Sequence, residues 1–282
     1  MRWLNPLSVT KSSKLRHGAG AGSVPATPAA KSISSIGRLR TGFIGVLAPL
    51  AVFLAAGGFP VGPVHAASLG AEPTKVVPIG LTPGGQTYGR WAAEWWQWAL
   101  GTPATTNPLV DTTGENCGVR QVDDVWFLAG SIVGPVERAC TVPAGKSLFF
   151  PLLNTAFFAL LDDPPEERTE EFLRDAVACA VPAEISLEID GFEVKEDLTK
   201  FNTSESGSQS PLFNVQLPPD NLFGVDESIV PELVFSPAAE QGYYAFIRPL
   251  SVGEHTIRFH ATGCFEGIEQ DIEYILEIED TE

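Results

Sequence analysis

Four tryptophans lie within one predicted helix, and aromatic rings at this density can either stack on a ligand or fill a core. Residues 88–100 have the signals of a helix, with Thr87 as the amino-terminal cap. At 100° per residue, Trp91, Trp95 and Trp98 share one face. We expect this face to pack on a sheet as core, because three exposed tryptophans would leave a large apolar patch on a monomer.

Trp96 borders that face and is the predicted ligand-binding residue of the helix. From the border, its ring could stack on a sugar or on the apolar surface of a partner. Arg120 is the second predicted ligand contact, since cations are scarce in this acidic chain. For Arg120 and Lys146 a second interpretation stays open, in which each cation simply pairs with a nearby acid.

Four carboxylates lie on or beside the segments expected to meet the aromatic helix, and they are the candidate catalytic groups. They are Glu94, Asp111, Asp123 and Asp124. A pair of carboxylates about 5–9 Å apart, next to aromatic rings, can hydrolyse a glycosidic bond. The acids also leave bound calcium open as an alternative, although the sequence has no D-x-D-x-D-G calcium loop.

Nucleophilic catalysis has little support in the sequence. The chain has no G-x-S-x-G motif and no H-E-x-x-H motif. After residue 66, His255 and His260 are the two histidines available as a base. Residues five apart on a strand face opposite sides, so these two cannot bind one metal or act as a pair. We therefore interpret both as sheet-surface residues.

The four cysteines all follow the predicted export signal, where an even number is typical of disulfides. They are Cys117, Cys140, Cys179 and Cys264. Three connectivities are open, and we favour Cys117 with Cys140 and Cys179 with Cys264. The chain has no C-x-x-C motif, so neither a redox site nor a zinc site is predicted.

The amino-terminal segment is predicted to be an export signal rather than part of the fold. Residues 1–66 contain seven basic residues and no acid, and an apolar run covers residues 42–59. Small residues precede Ala67, where a signal peptidase would cut. An uncleaved membrane anchor is the alternative, because the run approaches spanning length. With cleavage the protein is secreted or periplasmic.

The charge of the exported part restricts its partners. Removing 7 of the 18 basic residues leaves 11 against 35 acids, a formal net charge of −24. Such a field repels phosphate backbones and anionic lipids, so we predict no nucleic-acid binding and no stable membrane insertion after cleavage. Cations or neutral ligands fit this charge better.

The pattern after the signal predicts an α+β, mainly β protein. Residues 67–86 are expected to be an extended lead-in, and residues 87–282 a single compact domain. Asp162 to Pro165 should begin a second helix with an apolar stripe of Phe172, Leu173, Ala176, Val177 and Ala180. Pro151 is expected at an edge or a strand end. Strands are predicted at residues 125–129, 148–153, 185–189, 213–217, 243–248, 255–260 and 270–279. They indicate an antiparallel β-sandwich packed on the aromatic helix.

Several segments together resemble a family of exported prokaryotic proteins. They are WAAEWWQWA, NPLVD, VWFLAG, CTVPAGKSLFFPLLN and GYYAFIRPLSVGEHTIRF. The resemblance spans most of the chain after the signal and implies export and a mixed helix-plus-β domain. It implies no activity and no site residues.

These features favour a non-catalytic function, the binding of carbohydrate or a cell-surface partner through the β-scaffold and its flanking aromatic residues. An extracellular polysaccharide hydrolase or lyase that uses a carboxylate pair is the alternative. A structural envelope protein is the third interpretation.

Overall fold

The computed structural model describes residues 76–121, 123–178, 181–205, 207–264 and 267–280. The predicted signal segment and the first part of the lead-in lie outside the described residues. So does Cys179. No helix among the described residues is long and apolar enough to cross a bilayer.

The described residues are mainly β, as predicted, with two α-helices. The helices are α1 (Tyr88–Gly101) and α2 (Glu170–Ala176). The strands, in chain order, are β1 (Val125–Phe127), β2 (Val136–Pro143), β3 (Ser147–Leu160), β4 (Glu184–Ile189), β5 (Phe192–Glu193), β6 (Phe213–Gln216), β7 (Val234–Ile247), β8 (Gly253–Thr262) and β9 (Glu269–Glu279).

The strands form two mixed sheets, so the predicted antiparallel arrangement is not confirmed. The first sheet has the order β1-β3-β7-β6, and the second has the order β2-β9-β8-β4-β5. The β1–β3 and β2–β9 pairs are parallel, whereas the other pairs are antiparallel. Turn residues in the sequence indicate antiparallel pairs between strands that are close in the chain. The strands β2 and β9 are more than 100 residues apart in the chain, so no local sequence pattern predicts their parallel pairing.

The long strands β3 and β7 present a different face to each neighbouring layer. Phe150 of β3 meets Phe259 of β8 in the second sheet, with ring centroids 5.1 Å apart. Phe149, one residue earlier, instead contacts Tyr88 of α1 at 5.8 Å. This alternation is the period-two geometry of a strand. The helix α1 therefore lies on the side of the first sheet that faces away from β8.

Pro151 is inside β3 rather than at a strand end. The register with β7 shifts between Pro151 and Leu153. On the other side of β3, the pairing with β1 covers residues 147–149. Proline has no N–H to donate to a neighbouring strand. It is tolerated here because the pairing is bulged on one side and absent on the other, so no ladder hydrogen bond is lost.

The second helix begins later than predicted. Pro165–Arg168 form a 3₁₀ turn, and α2 starts after Thr169, whose hydroxyl accepts a hydrogen bond from the Phe172 N–H. Of the predicted stripe, Leu173 and Val177 are buried, but Phe172 is 38% exposed. The helix has only seven residues, so a narrow apolar stripe suffices to dock it on the sheet.

Candidate functional site

The aromatic face of α1 is core, as predicted. Trp91, Trp95 and Trp98 are each at most 6% exposed. Each indole N–H donates a hydrogen bond to a backbone carbonyl, those of Pro83, Leu128 and Val119 respectively. Their polar atoms are thus satisfied inside the core, and none of the three rings is available for a ligand.

Trp96 lies at the border of this face, but most of its ring is covered. It makes edge-to-face contacts with Trp95 at 5.2 Å and with Phe158 at 5.6 Å. Its indole N–H is buried and has no hydrogen-bond partner of good geometry among the described residues. The predicted stacking platform is therefore an edge of the core beside a buried polar cluster.

That cluster centres on Glu240 of β7, a residue that was not predicted from the sequence. Glu240 is 1% exposed. Its carboxylate accepts hydrogen bonds from the Tyr244 hydroxyl at 2.9 Å and from the Thr203 hydroxyl at 3.3 Å. Asn154 of β3 donates to the same tyrosine oxygen at 3.1 Å. The feature of the sequence that could have indicated this cluster is a single acid in the otherwise apolar centre of β7.

Burial dominates the electrostatics of this cluster. It raises the pKa of the Glu240 carboxyl to about 7, although hydrogen bonds from Tyr244 and Thr203 and the charge of Arg174 oppose the rise. Burial also raises the pKa of Tyr244 well above its usual range, and Glu240 raises it further, whereas Asn154 and Trp96 oppose this.

Two glycines allow the cluster to be covered closely. A Cβ at Gly89 of α1 would lie 2.2 Å from the Ser210 nitrogen, and one at Gly242 of β7 would lie 2.5 Å from the Asn154 Cβ. Arg174 of α2 also donates to the Ser210 hydroxyl at 3.2 Å. Because these elements seal Glu240 from solvent, its protonation acts on the stability of the fold rather than on a soluble substrate.

Among the described residues, no two of the four predicted catalytic carboxylates are in contact with each other. Glu94 accepts from Gln86 at 3.2 Å and lies 3.8 Å from Arg90. Asp123 and Asp124 are exposed, and Lys146 lies 3.7 Å from the Asp124 carboxylate. Lys146 therefore pairs with a nearby acid, which is the second interpretation given for it above.

Asp111 is committed to its own turn. It accepts from the N–H groups of Thr113, Gly114 and Asn116 at 2.8–3.0 Å. Partial burial opposes ionisation, but these hydrogen bonds hold the pKa of the Asp111 carboxyl below its usual value. Arg120 is exposed, and its guanidinium lies over Gly101. No group of three metal-ligating side chains occurs among the described residues.

A disulfide and the Asp111 turn cover the outer edge of β2. Cys117 and Cys140 are bonded, as predicted. The Ala139 N–H donates to the Thr113 carbonyl at 2.9 Å, so the turn pairs with the strand edge. Cys264 is disulfide-bonded as well, and its predicted partner Cys179 lies outside the described residues.

The opposite edge of the second sheet is open. The short strand β5 pairs with β4 only at Glu188 and Ile189, and the Val194 N–H donates to the Leu187 carbonyl. Beyond that point the chain leaves β4, and a groove of about 420 Å³ lies between them. Its lining residues are Ile185, Ser186, Glu193, Val194, Lys195, Glu196, Asp197, Leu198 and Thr199.

The backbone of β4 faces this groove at Ile185. In an antiparallel strand the N–H and C=O of one residue point to the same side, and the side alternates along the chain. The Leu187 carbonyl points to β5, so the N–H and C=O of Ile185 point the same way, into the groove. Phe192 of β5, which precedes the lining residue Glu193 in the chain, is 72% exposed.

The two histidines of β8 face opposite sides, as predicted, but His255 is not a surface residue. It is 8% exposed and lies 2.9 Å from the Asp190 carboxylate. His260 is partly exposed and lies 3.2 Å from Glu184. The prediction for His255 was wrong because its burial depends on the pairing of β4 with β8, which brings Asp190 next to it and which neither strand reveals alone.

Comparison with known proteins adds no functional information. No protein-family model and no curated protein matches the chain. Among solved structures, the chain is similar to the "Solution Structure of Amebosin" at 6% identity, with 56% of this chain and 100% of that chain covered and a TM-score of 0.20. A superposition with that score carries no argument.

Proposed function

We propose that this protein is an exported binding protein that captures an extended, cationic segment of a cell-surface partner. The observation that carries the proposal is the open edge of β4, where the backbone of Ile185 faces a groove. An extended peptide can add a strand to such an edge through main-chain hydrogen bonds.

The two edges of the second sheet support this assignment by contrast. The edge at β2 is covered by a turn that is held by the Cys117–Cys140 disulfide. Proteins usually cover or shorten their edges, because an exposed edge pairs with other chains. The edge at β4 has only the two-residue strand β5 on it, which leaves room for a partner.

Charge and apolar contact select the partner. The groove is lined by Glu193, Glu196 and Asp197 against one cation, Lys195, which pairs with Glu193, while Lys200 outside the lining pairs with Asp197. A segment with lysine or arginine side chains complements this lining and the acidic exported part as a whole. Phe192 is the exposed aromatic residue that would anchor it, since aromatic residues dominate binding energies at interfaces.

Export is part of the proposal and is supported by two features. The sequence of residues 1–66 has the organisation of an export signal. The Cys117–Cys140 disulfide is typical of proteins in an oxidising compartment, such as the periplasm or the cell exterior. Sequencing the amino terminus of protein recovered from the culture medium tests this, with Ala67 as the expected first residue.

Peptide titration tests the binding itself. The probe is a nine-residue synthetic strand of alternating lysine and valine, titrated calorimetrically into the full chain. Two control peptides are an alternating glutamate and valine strand and a lysine strand that is N-methylated on one edge. We expect binding of the lysine strand and at least a tenfold loss with each control peptide.

Protein variants locate the site. Ile185→Pro removes the N–H that faces the groove, whereas Ile185→Val keeps it, so only the proline variant should lose binding. Phe192→Ala should weaken binding without lowering the thermal unfolding temperature, since this ring is exposed. Equal binding by Ile185→Pro, or retention on a glycan panel without peptide binding, would overturn the proposal.

A further inference from the structure

A serine, a histidine and an aspartate meet at one end of β4 and β8, and none of the three lines the groove. Asp190 follows β4, His255 belongs to β8, and Ser251 lies in the turn before β8. The Ser251 Oγ lies 3.0 Å from His255 Nε2. The Asp190 oxygens lie 2.9 and 3.0 Å from His255 Nδ1.

Each member of this trio is positioned by backbone structure. Asp190 has a positive φ of 55°, and its Oδ1 accepts a second hydrogen bond from the Thr256 N–H at 3.0 Å. His255 is 8% exposed, which fixes its ring between Asp190 and Ser251. Ser251 is exposed, so its hydroxyl can be reached from solvent.

From this geometry we infer that Ser251, His255 and Asp190 form a nucleophilic site that cleaves small esters. The order of contacts is that of an activated serine, in which an acid orients the imidazole and the imidazole contacts the hydroxyl. In the tautomer that donates Nδ1–H to Asp190, Nε2 carries a lone pair and can accept the Ser251 proton.

The reaction balances with an ester and water alone. The Ser251 Oγ forms a bond to the ester carbonyl carbon while its proton moves to His255 Nε2. The C–O bond to the alcohol then breaks, and the departing oxygen takes that proton. Water attacks the acyl-serine through the same nitrogen, which releases a carboxylic acid and restores Ser251.

A second oxygen lies beside the imidazole. The Ser251 carbonyl lies 3.0 Å from Nε2 and can only accept a hydrogen bond. It becomes a partner for Nε2–H once the ring has taken the proton. A purely structural brace would need this carbonyl and Asp190, but it would give no role to the exposed hydroxyl.

The surroundings indicate the class of ester. Val252, next to Ser251 in the chain, is 56% exposed. An apolar side chain at this position favours a short apolar acyl group, and the acidic charge of the exported part disfavours an anionic substrate. A neutral acetate or butyrate ester meets both conditions.

The test uses a fluorophosphonate probe and p-nitrophenyl acetate with the full chain. We expect the probe to label Ser251, as mapped by peptide mass spectrometry, and p-nitrophenyl acetate to be hydrolysed. Ser251→Ala should abolish both signals, and Asp190→Asn should lower the labelling rate by about 100-fold. Ser204→Ala, a change at an exposed serine of another loop, should change neither.

Thermal unfolding separates catalysis from support of the turn. Ser251→Ala should unfold at the same temperature as the parent chain while losing all labelling. Labelling that persists in Ser251→Ala, or a parent chain that reacts no faster at Ser251 than at Ser204, would overturn the inference. In that case a lower unfolding temperature of Asp190→Asn would identify the trio as a structural brace.

Discussion

Glu240 and Asp111 show how differently one chemical group behaves in two environments. Asp111 accepts three backbone N–H groups within its own turn, and its pKa is lowered. Glu240 is enclosed by the first sheet and its covering elements, and burial raises its pKa to about 7. The first carboxylate is stabilised when it is charged, whereas the second is stabilised when it is neutral.

Glu240 should make stability depend on pH in an unusual direction. Between pH about 4.5 and about 7 the folded chain holds a proton that the unfolded chain has released, so its contribution to stability falls as pH rises. Glu240→Gln stays neutral at every pH and should lose that slope. Urea unfolding at pH 5 and pH 8 measures this pH dependence of the free energy of unfolding. Glu254→Gln, a change at an exposed glutamate, is the control.

Parallel pH profiles for the parent chain and Glu240→Gln would contradict this account of the buried carboxyl. The expected difference between the two profiles is on the order of a few kcal/mol across this range. Glu254→Gln should leave the slope intact because that side chain is exposed on β8.

At the scale of elements, α1 is bound to the first sheet by its tryptophans. Trp95 is 1% exposed and donates to the Leu128 carbonyl. Trp95→Ala should therefore cost about 3–5 kcal/mol through the cavity and the lost hydrogen bond. Trp96→Ala should cost less, because that ring is partly exposed. Denaturant unfolding compares the two, and an equal loss would contradict the distinction.

The Cys117–Cys140 disulfide holds the turn that covers the edge of β2. Replacing both cysteines with serine should lower the free energy of unfolding by about 3 kcal/mol. The disulfide joins residues 23 apart in the sequence, and its loss gives the unfolded chain more conformational freedom. The uncovered edge should also associate with other copies, which light scattering would detect. A variant of unchanged stability that remains monomeric would contradict this role.

The elements that were predictable from sequence are those with local signals. The cap at Thr87 and the period of the tryptophans located α1, and alternation located β4, β8 and β9. The strand β2 was missed because Arg138 occupies an inward position. Arg138 is 1% exposed, and its Nε and Nη1 donate to backbone carbonyls and to the Tyr274 hydroxyl, whereas Nη2 has no partner among the described residues. The Tyr274 partner is 136 residues away in the chain.

The candidate sites were less predictable than the elements for the same reason. Ile185 was placed correctly on a strand, but an open edge is a property of the whole sheet. Likewise, Asp190 and His255 are 65 residues apart. Their contact depends on the pairing of β4 with β8, which neither residue reveals.

At the scale of the whole molecule, the acidic charge should govern capture of the partner. With 11 basic residues against 35 acids in residues 67–282, attraction to a cationic strand is long-ranged and screened by salt. We expect the Kd of the lysine and valine strand to rise at least about tenfold between 50 and 500 mM NaCl. An affinity independent of salt would contradict the electrostatic part of the proposal.

The most direct test of strand addition is hydrogen exchange at the Ile185 amide, read by NMR with and without the lysine and valine strand. The N–H of Ile185 faces the groove, whereas Ser186 lies opposite His260 of β8 and its N–H is expected to point to that strand. We predict that exchange slows at Ile185 on addition of the peptide while Ser186 is unchanged. Unchanged exchange at Ile185 under saturating peptide would contradict the proposed function.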